Sequence, residues 1–481
     1  MPDITPSASA APAGLDRDLK RLVVAIIVGA VAVILDTTIV SVGIHELGTS
    51  LHVPVSTIQW VSTAYLLAMF VTIPLSGWAQ SRLGSKRLWI LALTVFTAGS
   101  VLCATAWDAT SLIVFRAVQG AGGGIIMPLM ATVLMQAAGG RNLGRLMASV
   151  SLPAAIGPIL GPVLGGLILG FLSWHWLFLV NLPLGIVGLV LAVRFFPDSA
   201  PGPRKKIDLV GLLLVSPGVV AVIYGLTQIA ETGGFGHPGV VAPLCLGLLL
   251  LAGFLVRSLR RGDEALIDVG LFRHRVLSLS SGLLFLSGAA LYGAMLLLPL
   301  YWQQVRGQDA LGAGLLLVPQ GVGALASRTL AGRLTDTIGG RWVAAIGFAV
   351  VTLATVPFAL ADEATSTWVL LVTLLVRGFG LGAVLIPLMT GAYVGLQRSE
   401  IPDASIITRI AQQVGGSFGT AVLAVILAGA AAAAATSADL AAAFDQAFWW
   451  ATGFSAVATL LCLLLPGRLP DRAVRATAPG A

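Results

Sequence analysis

Ser151-Leu152-Pro153-Ala154-Ala155-Ile156-Gly157-Pro158-Ile159-Leu160-Gly161-Pro162-Val163-Leu164-Gly165-Gly166-Leu167-Ile168 is an uncharged run that carries three prolines and four glycines. Water would not sustain a helix of this composition, because each proline removes a backbone bond and each glycine adds conformational entropy. Lipid reverses the balance. Backbone groups find no water there, so the segment satisfies them internally and neighbouring helices tolerate Pro and Gly. Gly157, Gly161 and Gly165 recur every fourth residue and line one face, the small-xxx-small spacing that admits a second helix closely. Pro158 and Pro162 bend the rod. With Pro153 and Gly166, the stretch reads as a bent, tightly packed transmembrane helix: either a fixed packing face or a gating hinge between two halves of a transporter.

The rest of the 481-residue chain agrees with that environment. It is 57% hydrophobic and 10% charged, with mean hydropathy +0.95, far outside soluble averages. A net charge of +7 would suggest nucleic acid in a soluble chain. Here the basic residues have first to be mapped against the membrane. Cys103, Cys245 and Cys462 lie in apolar runs without ligand spacing, so neither a disulfide nor a metal site is expected, and no cofactor motif is present.

Apolar stretches of about 20 residues fall near 22–43, 58–79, 88–106, 111–136, 146–169, 175–196, 208–229, 239–259, 277–302, 311–331, 342–360, 367–392, 406–430 and 446–465, fourteen in all. The distribution of Lys and Arg supports the count, because a missed span would scramble their alternation between sides. Every basic residue but Arg116, Arg306 and Arg377 falls in connections on one side, Arg328 and Arg409 included. Both termini are then cytoplasmic, and the positive charge reflects orientation.

An internal repeat divides the chain. The turn Gly77 to Arg87, with Arg82, Gly84 and Lys86, returns as Gly332 to Arg341, with Asp336 and Gly339. Two spans on, Arg116-Ala117-Val118-Gln119-Gly120-Ala121-Gly122 is echoed by Arg377-Gly378-Phe379-Gly380-Leu381-Gly382, each followed by Pro-Leu-Met. The expected fold is all-α and polytopic, 6 + 2 + 6 helices. Residues 1–19 form a disordered tail, 20–196 and 276–466 two six-helix halves, 197–275 a linker with two inserted helices, and 467–481 a second tail. Repeats of this kind place a site near the midplane and rock around it.

In order along the chain, Leu35 to Val40, Gln59-Trp60 with Tyr65, the Gly77 turn, Arg116 to Gly120, Gly157 to Gly166 and Trp174 to Pro183 resemble the major facilitator superfamily. The closest resemblance is to its fourteen-helix drug:proton antiporters of the EmrB/QacA type. That resemblance implies the major facilitator fold, alternating access and a gating role for the Gly157–Gly166 helix. Ser81 stands where the family's turn carries an acid, although Asp336 keeps one in the repeat.

Coupling needs a titratable group, and an ionisable residue within lipid is costly enough to mark a functional site. Asp36 is the carboxylate well inside a span. It lies about seven residues from the far end of the first span and Arg116 about five from the same end of the fourth, so roughly 10 and 8 Å deep. At these depths they could be neighbours, serving either as a proton-coupling pair or as a permanent structural ion pair or capped polar contact. Arg377 either bonds helix carbonyls or contacts substrate. Tyr65, Gln119, Asn181, Phe285, Tyr292, Gln412 and Gln413 are further cavity candidates, although amides in lipid equally serve helix–helix bonds.

The expected function is proton-driven efflux of hydrophobic drugs or antibiotics from the bacterial cytoplasmic membrane by a monomer in the lipid bilayer. Protons and a small hydrophobic substrate are its partners. The alternative is an exporter dedicated to one endogenous metabolite or self-made antibiotic. Dications need paired carboxylates in a low-dielectric cavity, so a neutral, weakly anionic or at most monocationic substrate fits this chain better.

Overall fold

The computed structural model describes residues 17–466 apart from 54, 59, 139–145, 147–159, 162–163, 199–206, 233–235, 309, 362–364, 398 and 432–435. The first half contains α1 (Arg17–Val42), α2 (Trp60–Thr72), α3 (Leu75–Leu83), α4 (Ser85–Ala104), α5 (Ala109–Ala138) and α6 (Asn181–Phe195). Two inserted helices follow, α7 (Leu209–Thr232) and α8 (Pro238–Arg261). The second half contains α9 (Arg275–Gln304), α10 (Val318–Ile338), α11 (Gly340–Thr355), α12 (Thr367–Ala392), α13 (Ile401–Ala431) and α14 (Ser437–Cys462).

Among the described residues, ten helices are long and apolar enough to cross a membrane, or eleven when α2 and α3 count as one span bent by 58°. The bend falls where Pro74 removes a backbone donor. Just before it, the Val71 carbonyl accepts a 3.0 Å hydrogen bond from Ser216 of α7. The chain is thus an all-helical, multi-span membrane protein. Spans expected near 311–331 and 446–465 appear as α10 and α14, whose polar residues keep them below that threshold. Most of the expected span 146–169 lies outside the described residues.

The repeated turns are built alike. Gly84 ends α3 at φ 78° and Gly339 ends α10 at φ 93°, backbone that a side chain would strain. Lys86 bonds Asp198 at 2.8 Å, tying the start of α4 to the segment after α6. Ser81 turns its hydroxyl back onto the Trp78 carbonyl at 2.8 Å. The carboxylate beside Gly77 comes instead from the other half: a Cβ on Gly77 would meet Asp403 Oδ1 of α13 at 3.4 Å. Arg82 and Arg341 lie over the rings of Trp78 and Trp342.

Packing is unequal at the two ends of the molecule. At the end bearing these turns, one apolar core joins both halves, including Leu22, Met135 and Leu146 of the first and Ile386, Ala404 and Ile406 of the second. Thr132 of α5 donates to Ser405 of α13 across the seam at 3.0 Å. At the opposite end the cores of the described residues are separate. One gathers Ile39, Leu47, Trp174 and Phe178; the other gathers Tyr301, Trp302, Phe358, Phe444 and Phe448. The halves therefore meet most firmly at the turn-bearing end. Helix α7 packs on both α2 and α13 and covers the seam from the side.

An ion pair fastens the inserted helices. Asp208, just before α7, accepts from Arg257 at 2.7 Å and from the Gly211 N–H at 3.0 Å. Burial works to raise the Asp208 pKa, but these bonds and the Arg257 and Arg261 charges outweigh it and hold it below the usual value. A depressed folded-state pKa contributes stability above the unfolded value of about 4 that disappears as pH falls through the folded one. Amide exchange in the first turn of α7 should accordingly stay slow from pH 7 to 5 and speed up below about pH 4. In Asp208→Asn it should be fast throughout. Unchanged exchange in that variant would show that the pair does not hold the helix.

Candidate functional site

Five helices of the first half converge on one buried carboxylate. Asp36 of α1 is 0% exposed and Arg116 of α5 is 1% exposed. Arg116 Nη1 donates to Asp36 Oδ2 at 2.6 Å. The other carboxylate oxygen accepts from Gln119 Nε2 at 2.8 Å and from Asn181 Nδ2 at 2.7 Å. Gln119 is brought into line by helical spacing, three residues after Arg116, and also accepts from it at 2.7 Å. Asn181 arrives as the first residue of α6. Ser100 of α4 accepts from both amides, at 2.6 and 3.3 Å. The guanidinium is completed by the Val61 carbonyl at 3.2 Å and the Tyr65 ring, whose centroid lies 4.0 Å from Cζ.

The expected Asp36–Arg116 contact is thus present in the structure. Burial makes it consequential, because a carboxylate at low dielectric is costly unless its charge and lone pairs are met. Gln119 and Asn181, expected on a cavity wall, lie instead inside this cluster, both 0% exposed, and Tyr65 is sealed by the same packing. Ser100 was not anticipated. A lone serine in an apolar span carries no periodic signal; only convergence of α4 with α5 and α6 reveals it.

Among the described residues, the Asn181 carbonyl oxygen and the Tyr65 hydroxyl are buried without a hydrogen-bond partner. These groups stand beside the ion pair and offer it alternative partners.

The second half is built on the same plan with a different register. Gly120 of α5 packs on the Tyr65 backbone, Gly122 on Ala92 and Phe96 of α4, and Gly124 on Met69. Gly378 of α12 packs on the Gln320 backbone, Gly380 on Gly347 and Val351 of α11, and Gly382 on Ala324. This superposes Arg377 on Gln119 rather than on Arg116, correcting the motif echo read from sequence. Polar partners agree: Gln119 bonds Ser100 of α4, and Arg377 Nε bonds Thr355 of α11 at 3.2 Å. Arg377 also donates to Gln320 Oε1 at 2.7 Å and to the Ala290 carbonyl at 3.1 Å. Its described partners are all neutral, and of its two expected roles the carbonyl bond is present.

The remaining candidates are dispersed. Phe285 and Tyr292, both half-buried, line α9 where it crosses α13: the Phe285 ring lies 5.4 Å from Phe418, and a Cβ on Gly416 would meet Tyr292. Gln412 is 6% exposed and Gln413 half-buried on α13. Of the hinge candidates, Pro153, Gly157, Pro158 and Pro162 lie outside the described residues. Gly161 is buried, and a Cβ there would fall on Thr38, two residues beyond Asp36. Gly165 is buried too, whereas Gly166 is exposed, and a Cβ there would meet nothing within 4 Å among the described residues.

The Thr38 contact sharpens one prediction. Gly161→Leu should insert and fold yet lose most transport, since the branched side chain must displace α1 beside the Asp36 cluster. Gly166→Leu should be nearly silent. Equal transport by both well-expressed variants would show that the Gly161 contact is not needed.

A sequence profile described as Major Facilitator Superfamily matches residues 26–420. The chain belongs to the major facilitator superfamily. This superfamily chain is 36% identical over 418 residues to a protein of Mycobacterium tuberculosis named Multidrug resistance protein B homolog, covering 86% of this chain and 77% of the relative. It is 27% identical to the Lincomycin resistance protein LmrB of Bacillus subtilis, covering 81% and 82%. Two solved structures share the fold. The human organic anion transporter MFSD10 gives a TM-score of 0.64 at 16% identity, over 93% of this chain and 100% of that one. The proton:xylose symporter XylE gives 0.63 at 15%, over 93% and 96%. This superfamily member is a transporter and not an enzyme.

Proposed function

We propose that the protein is a proton-driven efflux antiporter of the fourteen-helix EmrB/QacA type, exporting hydrophobic drugs or antibiotics across the bacterial cytoplasmic membrane. The observation that carries this reading is the buried Asp36–Arg116 pair, a single titratable acid held by neutral amides in one half. Relatives named for multidrug and lincomycin resistance support an exported antibiotic-like cargo. The one-sided Lys/Arg distribution supports fourteen spans with both termini and the Gly84–Gly339 turns in the cytoplasm. In that orientation the structure is closed on the cytoplasmic side. Residues 20–196 and 276–466 rock as the two halves, 197–275 supplies the inserted pair, and the unit is a monomer.

Protonation of Asp36 from outside and its deprotonation inside would bias the two closures in opposite directions. The test is proton movement. In everted vesicles holding a proton gradient, substrate addition should alkalinise the lumen, and an uncoupler should abolish efflux from intact cells. Substrate uptake that needs sodium or ATP, with no proton flux, would overturn the proposal.

A further inference from the structure

Arg409 lies not in a basic loop but nine residues into α13, a 31-residue helix. Its place is set by Ser405, one turn earlier on the same face, which meets Thr132 of the opposite half. Arg409 therefore sits one turn further into the seam, on the side of the separate cores. It is part-buried, and its only side-chain bond among the described residues is a long one, Nη1 to Gln412 Oε1 at 3.4 Å. None of the ion pairs among the described residues includes it. Across the seam its charge acts on Tyr65, alongside Asp36 and Arg116.

Among the described residues the interior arginines differ in how their charge is met, and Arg328 of α10 is buried with its Nε and Nη1 unbonded. Arg116 is neutralised by Asp36, and Arg377 is enclosed by neutral oxygens. Among the described residues Arg409 has only the long bond to the Gln412 oxygen, and a part-buried cation is costly until an anion or several oxygens meet it. The half-buried Gln413 and the Gln412 amide stand beside it, and apolar walls follow along α13 and α9. A guanidinium next to amides and apolar side chains matches a carboxylate on an amphipathic body.

We infer that Arg409, with Gln412, forms an anion-recognising subsite between the halves and that the exported compounds include amphipathic carboxylates. This rests on the export reading and adds a substrate class to it. The test uses the full chain in zwitterionic nanodiscs and two probes of one skeleton: 11-(dansylamino)undecanoic acid at pH 8, and its neutral methyl amide. Wild type should bind the acid about tenfold more tightly than the amide, the worth of one charge-assisted bond.

Arg409→Gln should bring that ratio to about one, Arg409→Lys should keep part of it, and Arg333→Gln, an exposed change on α10, should leave it intact. An unchanged ratio in a monodisperse Arg409→Gln protein would overturn the inference, as would equal binding of acid and amide by wild type. Loss of the preference in nanodiscs containing anionic lipid would also overturn it, assigning Arg409 to a lipid headgroup. Export of the amide separates the two claims. Uncoupler-sensitive amide export by wild type without an acid preference leaves the antiporter standing and removes the subsite. Acid-selective binding without uncoupler-sensitive export of either probe does the reverse.

Discussion

Asp36→Asn is expected to reduce uphill export by at least about a hundredfold, the low end of what a positioned proton-transfer group contributes. Asparagine keeps the size of the side chain, and one oxygen can still accept from Gln119 or Asn181, so the helices should assemble. What it removes is the titratable proton, and with it the coupling between the gradient and the direction of opening. Counterflow of labelled against unlabelled substrate across vesicles without a gradient should therefore persist. The informative comparison is uphill export against counterflow in the same preparation. Wild-type uphill export would assign coupling to another group; loss of both activities with normal folding would give Asp36 a structural or substrate-binding role.

Arg116→Leu should lower stability by about 3–5 kcal/mol, because it leaves a carboxylate 0% exposed with its charge unmet. The partner change reverses much of this. In Asp36→Asn/Arg116→Leu no buried charge remains, so the double variant should melt well above Arg116→Leu while still failing to export uphill. Thermal melting in detergent, followed by the monodisperse fraction, checks the order: wild type and Asp36→Asn highest, the double variant between, Arg116→Leu lowest. A double variant no more stable than Arg116→Leu would mean that Arg116 acts through Val61 and Tyr65 rather than through the charge of Asp36.

How far the sequence alone reaches is clearest at the two ends of one physical rule. Where lipid is the environment, composition suffices: an apolar run must be a helix, and a lone acid and arginine within such runs must find each other. The multi-span fold, the paired Gly84 and Gly339 turns, Asp36 and Arg116 were all legible for that reason. Where protein supplies the environment, composition misleads. Arg409 was counted with the basic connections although it falls within the first residues of the apolar run near 406–430. Yet α13 begins at Ile401, and its polar first turns are buried by the other half instead of by lipid.

The same limit applies to the site's finer geometry. Nothing in the spacing of Ser100, Gln119 and Asn181 says that they gather around one carboxylate, since Gln119 and Asn181 contact it from different helices and Ser100 of a third accepts from both amides. The register of the repeat was likewise misread from arginine positions. It is set by which glycines allow backbones to touch, and these align Arg377 with Gln119. The sequence by itself determined that this chain crosses a membrane many times and carries Asp36 and Arg116 within its spans. Only the tertiary structure decided which neutral groups hold that pair, at which end the two sets of helices meet, and where Arg409 stands. Those outcomes depend on contacts between residues distant in the chain, which local hydrophobicity and charge do not encode.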